Sequence, residues 1–365
     1  MKNIKSIILS WIIIIFACLF MFLFLKINSI SKALTWEEDT NLINITPTEK
    51  TSDIELLQES IKSNINSIQN SIATIYKTQK IWSMVENEDW EPQEQQIETV
   101  EKLEWNAIVI SNDWYMITNK HVVADTEKST YKAILQWQEY PIDKIRFDEL
   151  LDIAILKIKT KESTIPATIS TMDKWAEIGD IVFAIKNDTE VWEFITKIWL
   201  INSLNQKFEI QNNDNIYVWL IKNSTAIEWG FSWWPLINIK WEVIWINTAV
   251  DNIEYSASYA LPINQEFINQ TISSIKESGR IIRPDLWIEY ENEKSYAKVT
   301  NILEEGSASE TNLEIWDIIV WINSIPVNYN NFMYVLYTYK VWKEITLNIN
   351  KDWHKKDVQI RLWKH

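Results

Sequence analysis

The residues with the most chemical capacity lie in one stretch of the chain, His121, Asp152 and Ser232, in that order. Ser232 sits in Ile227-Glu228-Trp229-Gly230-Phe231-Ser232-Trp233-Trp234-Pro235-Leu236. A nucleophilic serine needs a sharply turned loop that presents its hydroxyl and aims neighbouring backbone N–H groups at an oxyanion. The N–H groups of Gly230, Phe231 and Ser232 suit that task, whereas indole rings at 233 and 234 would crowd the turn. His121 ends Tyr115-Met116-Ile117-Thr118-Asn119-Lys120-His121, where a strand closes, and Asp152 heads Asp152-Ile153-Ala154-Ile155-Leu156-Lys157-Ile158. Taken alone, His121 also reads as a structural histidine beside apolar neighbours. Asp152 alone reads as a strand-end acid that must be solvated or paired, because an unpaired buried charge is costly.

The composition bears directly on the serine loop. Of 365 residues only 4 are glycine and 22 are tryptophan. Together they make up about 7% of the chain, the share usual for glycine alone. The tryptophans also recur where turns demand a positive φ: Asn112-Asp113-Trp114, Lys240-Trp241-Glu242 and Lys351-Asp352-Trp353-His354 each lie between strand-like runs. The reading that follows is that most tryptophans stand where the gene specifies glycine, as when UGA is read as glycine in the source organism. The serine loop then becomes Gly-Phe-Ser-Gly-Gly-Pro-Leu.

These residues need a frame to hold them. Residues 104 to 262 read as short apolar strands separated by turns, the pattern of a β-barrel protein. Upstream, Ile7 to Leu25 is an uncharged apolar run between Lys2 and Lys5 on one side and Lys26 on the other, and it contains Cys18, the only cysteine. That length predicts one transmembrane anchor, with residues 1–6 cytoplasmic and the remainder outside. Residues 26–60 form a polar linker. Ile54, Leu57, Ile61, Ile65 and Ile68 recur at steps of three and four, predicting a helix to about residue 66 that gives way to a strand at Ser71-Ile72-Ala73-Thr74-Ile75-Tyr76. Residues 79–103 are acidic and read as a long surface loop. Ile263, Phe267, Ile268, Ile272 and Ile275 mark one helical face, which Gly279 terminates. The net charge of −15 argues against a nucleic-acid partner. No His/Cys/Asp cluster has ligand spacing, so neither metal nor cofactor is expected.

Together the His121, Asp152 and Ser232 motifs, with Ile178-Gly179-Asp180-Ile181-Val182-Phe183-Ala184-Ile185 and Trp241-Glu242-Val243-Ile244-Trp245-Ile246-Asn247-Thr248-Ala249, resemble the HtrA/Deg family of chymotrypsin-like serine proteases. Restoring glycine at 114, 199, 233, 234, 241 and 245 improves each match. The order His, Asp, Ser agrees as well. Leu286-Trp287-Ile288, Glu305-Gly306-Ser307-Ala308-Ser309 and Leu313 to Asn323 resemble a PDZ domain.

The resemblance implies a mostly β protein. A double β-barrel chymotrypsin-like protease domain over 61–278 would be followed by a PDZ domain over 279–365. It implies a triad of His121 as base and acid, Asp152 as its orienter and Ser232 as nucleophile. Ile227 and Ile246, Asn247, Thr248 and Ala249 match the family's specificity pocket and substrate-pairing strand. Leu286, Trp287 and Ile288 match the loop that receives a peptide C-terminus, which adds as a strand. Unfolded or regulatory proteins of the cell envelope are the implied substrates, and a homotrimer the implied assembly. Lys186-Asn187, where the family has glycine then asparagine, and Asn312, where it has glycine, depart from the family's pattern. With genuine indoles at 233 and 234, the alternative is an inactive adaptor or chaperone that binds peptides through the PDZ domain.

Overall fold

A computed structural model describes residues 47–86, 92–160, 162–172, 176–188, 193–209, 216–224, 234–250, 258–351 and 354–365. The apolar run 7–25, and the loop carrying Ile227, Gly230, Phe231 and Ser232, lie outside the described residues. Among the described residues no helix is long and apolar enough to cross a membrane. The chain divides into two compact units, Met1–Ile61 and Lys62–His365.

Helix α1 (Pro47–Ile68) is followed by a single 3-10 turn (Gln69–Ser71), and strand β1 (Ile72–Glu86) begins where the β-branched run begins. The switch from helix to strand falls two residues beyond the expected position. In place of the expected loop over 79–103, the described residues 79–86 and 92–103 are strand. β1 and β2 (Pro92–Val109) pair antiparallel without a break from Lys77↔Glu101 to Glu86↔Pro92. Continuous cross-strand pairing satisfies the backbone of this acidic segment within the ribbon itself.

β1 and β2 close a barrel with β3 (Tyr115–Thr118), β4 (Ser129–Leu135), β5 (Gln138–Phe147) and β6 (Ala154–Ile158), in the order β1-β2-β3-β6-β5-β4. Alternation along β4 and the inward faces of β3 and β6 fill it with Ala73, Ile75, Val109, Met116, Leu135 and Leu156. A second closed barrel follows the order β10-β11-β12-β9-β8-β7. Its strands are β7 (Ile181–Asp188), β8 (Glu193–Glu209), β9 (Ile216–Asn223), β10 (Pro235–Asn238), β11 (Val243–Val250) and β12 (Ser258–Pro262). The connecting segment is stitched to both barrels. The Ala167 N–H donates to Val109 O (2.9 Å), while Ser170 N–H donates to Val243 O (3.0 Å) and Val243 N–H to Thr168 O (2.8 Å).

Two groups of tryptophans stand out among the described residues. Trp199, Trp234 and Trp245 are buried in the second barrel, where the indole N–H of Trp245 finds no acceptor among the described residues. Six others hold a positive φ: Trp114 (66°), Trp137 (66°), Trp241 (65°), Trp287 (57°), Trp316 (76°) and Trp342 (68°). Each such residue bearing a Cβ costs about 1–2 kcal/mol relative to a right-handed conformation.

Helix α2 (Gln265–Ser278) follows the barrels. The Asn264 side chain accepts the Phe267 N–H at its start, and Gly279 (φ 78°) ends it as expected, donating to Ile275 O at 2.8 Å. The C-terminal module then contains β13 (Pro284–Asp285), β14 (Ile288–Glu293), β15 (Tyr296–Ile302), β16 (Ile318–Ile322), β17 (Ile325–Pro326), helix α3 (Phe332–Leu336), β18 (Glu344–Lys351), β19 (His354–Arg361) and β20 (Trp363–Lys364). Its main sheet runs β14-β15-β16-β18-β19, with β17 beside β16, and β20 pairs back on β13.

Arg283, between α2 and this module, joins it to the first barrel. Its Nε donates to Asp148 Oδ2 (2.8 Å), with Nη2 2.7 Å from the same oxygen, and both side chains are almost wholly buried. Nη1 donates to Gln270 Oε1 (2.7 Å) and Thr271 Oγ1 (2.9 Å), and the guanidinium lies 4.1 Å from the Phe267 ring centroid.

Candidate active site

His121 and Asp152 are brought together by the pairing of β3 with β6. Thr118 lies opposite Ala154, so the chain leaving β3 and the chain entering β6 meet at one end of the first barrel. His121 occupies a 3-10 turn (Lys120–Val122) directly after β3. Asp152 is fixed by the turn before β6. There Asp148 Oδ1 accepts the N–H groups of Leu150 (3.0 Å) and Leu151 (3.2 Å), and the Asp148 N–H donates to Ile153 O (2.9 Å). Lys120 Nζ donates to Asp148 O (3.0 Å), tying the histidine turn to the same loop.

The histidine ring meets the carboxylate at hydrogen-bond distance, His121 Nδ1 lying 2.7 Å from Asp152 Oδ2. The other carboxylate oxygen accepts the His121 backbone N–H at 3.1 Å. Asp152 is buried, its side chain 4% exposed, whereas the His121 side chain is 46% exposed. A carboxylate accepting at Nδ1 selects the tautomer with hydrogen there and leaves proton exchange to Nε2. This is the geometry of a general base oriented by a buried acid.

Two further donors complete the surroundings of Asp152. Thr248 Oγ1 donates to Oδ2 at 2.8 Å, from β11 of the second barrel, and Asn119 Nδ2 donates to the same oxygen at 3.1 Å. Asn119 Nδ2 also lies 2.7 Å from Thr248 Oγ1. Thr248, read from the sequence as part of a substrate-pairing strand, thus has its hydroxyl on the acid. Asn119 was not singled out by the sequence. Its position two residues before His121 offered a faint signal, but its partners lie 33 and 129 residues away.

The remaining described site residues fall in two places, β11 and the C-terminal module. Ile246 and Asn247 are buried in β11, and the Asn247 N–H donates to Trp234 O at 3.2 Å, next to the serine loop. Ala249 lies opposite Tyr259 in the pairing of β11 with β12. In the C-terminal module Leu286 is buried and Ile288 opens β14 opposite Ile302. The Trp287 N–H, in the expected carboxylate-receiving loop, donates to Asp285 Oδ1 at 2.8 Å. His365 Nδ1 in turn contacts Asp285 Oδ2 at 2.5 Å. Among the described residues no group of three or more His, Cys, Asp or Glu side chains is arranged to hold a metal ion.

Residues 106–245 match the trypsin-like peptidase domain. The "Probable periplasmic serine endoprotease DegP-like" of Chlamydia pneumoniae is 27% identical over 251 residues, covering 65% of this chain and 50% of that protein. The protein of the same description in Pseudomonas putida (strain GB-1) is 27% identical over 237 residues, covering 61% and 48%. The chain therefore spans about half the length of the curated relatives it matches. Among solved structures, the HtrA-type protease AlgW with a decapeptide superposes with a TM-score of 0.58 at 20% identity, covering 83% of this chain and 98% of that one. Its likeness is one of fold.

Proposed function

We propose that the chain belongs to the HtrA family of trypsin-like serine proteases and is a serine endopeptidase acting on unfolded or regulatory proteins of the cell envelope. In this reading His121 Nε2 removes the proton from Ser232 Oγ as that oxygen attacks the scissile carbonyl carbon. Asp152 holds the ring and stabilises the imidazolium. The N–H groups of Gly230 to Ser232 receive the oxyanion. The proton on Nε2 then passes to the leaving amine, and a water molecule activated by the same base hydrolyses the acyl-enzyme. The observation that carries the proposal is the 2.7 Å contact between His121 and a buried Asp152.

Glycine at the tryptophan positions is part of the same proposal. The left-handed tryptophans support it, because glycine is the residue that takes positive φ without a steric cost. An oxyanion turn with glycine at 233 and 234 can close, while one with two indoles leaves a peptide-binding protein without cleavage. The apolar run 7–25 supports a single-pass membrane anchor, with the catalytic and C-terminal parts outside the cytoplasm. The edge strand β14 supports a PDZ module that takes a peptide C-terminus by strand addition. Exposed Ile181, Ile198 and Leu200 on paired strands β7 and β8 support self-association, in keeping with a homotrimer.

Three measurements test the proposal. Protein purified from its native host is digested, and the mass of the peptide covering residues 229–241 distinguishes glycine from tryptophan. The same protein should cleave casein and react with a fluorophosphonate, and Ser232→Ala should abolish both. Labelling that survives the substitution rejects the nucleophile.

A further inference from the structure

Asn119 lies where the two barrels meet, and its side chain touches both the acid and the threonine opposite it. We propose that Asn119 is a positioning residue for catalysis, one that sets the direction of Asp152 and the proton affinity of His121. The inference rests on the triad reading above.

The hydrogen-bond directions are forced. A carboxylate only accepts, so Asn119 must present its NH2 to Asp152 Oδ2 (3.1 Å); the flipped amide would set two acceptors against each other. The second N–H of the same nitrogen points to Thr248 Oγ1 (2.7 Å). A hydroxyl has a single proton, and with Asn119 donating to it that proton goes to Asp152 Oδ2 (2.8 Å). Asn119, Thr248 and Asp152 thereby form a closed triangle with one consistent sense of donation. Asn119 Oδ1 is buried and finds no partner among the described residues. Leaving such an acceptor unsatisfied is costly.

The electrostatic consequence follows from which charges are nearby. Asp152 faces His121. Lys120 is directed to the Asp148 carbonyl, and the Asp148 carboxylate is neutralised by Arg283. The second barrel contributes to Asp152 the hydroxyl of Thr248. Donors on Asp152 disperse its negative charge, so removing one leaves more of that charge acting on His121 and favours the imidazolium.

The experiment is a titration of the His121 Cε1–H resonance by NMR in the full chain. The chain has three histidines, and a His121→Gln control assigns the signal. Asn119→Ala should raise the His121 midpoint by about half a pH unit. Asn119→Asp should raise it further once both carboxylates are ionised, and Asn119→Ser, which keeps one donor, should fall between Asn119→Ala and the unsubstituted protein. In parallel, Asn119→Ala should lower kcat for peptide cleavage by about tenfold to a hundredfold, with KM within about twofold. An unchanged His121 midpoint in Asn119→Ala and Asn119→Asp overturns the proposal, even if both variants melt at lower temperature. If the midpoint moves but the unsubstituted protein neither cleaves peptides nor reacts with a fluorophosphonate, the endopeptidase reading fails and the positioning by Asn119 stands.

Discussion

Replacing Arg283 with methionine removes a guanidinium that is about 2% exposed and leaves Asp148, about 1% exposed, without its cation. Breaking a buried pair from one side costs about 3–5 kcal/mol, because the remaining charge has lost its compensation. Two features place this pair in the upper part of that range: the Nε–Oδ2 bond is 2.8 Å, and Nη1 satisfies Gln270 and Thr271, which lose their donor together. The penalty depends on pH with a definite sign. A buried carboxylate stripped of its cation is penalised only in its charged form, so the loss is larger at pH 7 than in acid. Urea unfolding of the full chain at pH 4.5 and 7, followed by tryptophan fluorescence, measures it. The double substitution Arg283→Met with Asp148→Leu should recover part of the loss at pH 7, since two apolar groups carry no buried charge. Recovery is incomplete because Asp148 Oδ1 also accepts the N–H groups of Leu150 and Leu151. A single substitution costing less than about 1 kcal/mol at both pH values would refute the reasoning.

Other outcomes follow from named residues. Gln136 and Trp137 both hold positive φ in the two-residue turn between paired Leu135 and Gln138, so Trp137→Gly in a chain carrying tryptophan there should raise stability by about 1 kcal/mol, read as a higher melting temperature. Burial pushes the phenols of Tyr290, Tyr334 and Tyr337 up, for Tyr337 with help from Asp285 and Asp148. Their contribution is whole below the unfolded value of about 10 and lost as pH rises above it, so absorbance at 295 nm should show these rings titrating together with alkaline unfolding. The hydrogen bond from Ser273, then the Lys340 ammonium at 3.1 Å, holds the Glu277 carboxyl below its usual range. This contact of α2 with the C-terminal module is present above the ordinary carboxylate pKa and lost as pH falls through the folded value. Glu277→Gln should therefore flatten the acid end of a protease-sensitivity profile at the junction near residue 280.

Much of this architecture is legible in the residues themselves. The strand Asp152 to Ile158 and the histidine at the end of β3 were recognisable because each motif is local, a run of alternating or continuous apolar residues ending in one polar group. Gly279 was readable as a helix terminator for the same reason. The paired arms 80–86 and 92–98 were not, since their strand character comes from pairing with the opposite arm rather than from the pattern of either arm alone. The bond of Thr248 to the acid, and the place of Asn119 beside it, lay beyond sequence reading for a related cause: they exist only once two barrels bring these residues to one carboxylate. The serine loop is legible only through its letters, and those depend on whether glycine or tryptophan occupies 233 and 234.

The return of β20 onto β13 means that the module's entry and exit are clasped side by side, Pro284 against Lys364 and Asp285 against Trp363. One route from that module into the first barrel runs through Arg283, one residue before the clasp, to Asp148 in the turn that leads to Asp152. Anything fused behind His365 would hang from the same spot, so an affinity handle placed there would load the very joint through which the domains feel each other.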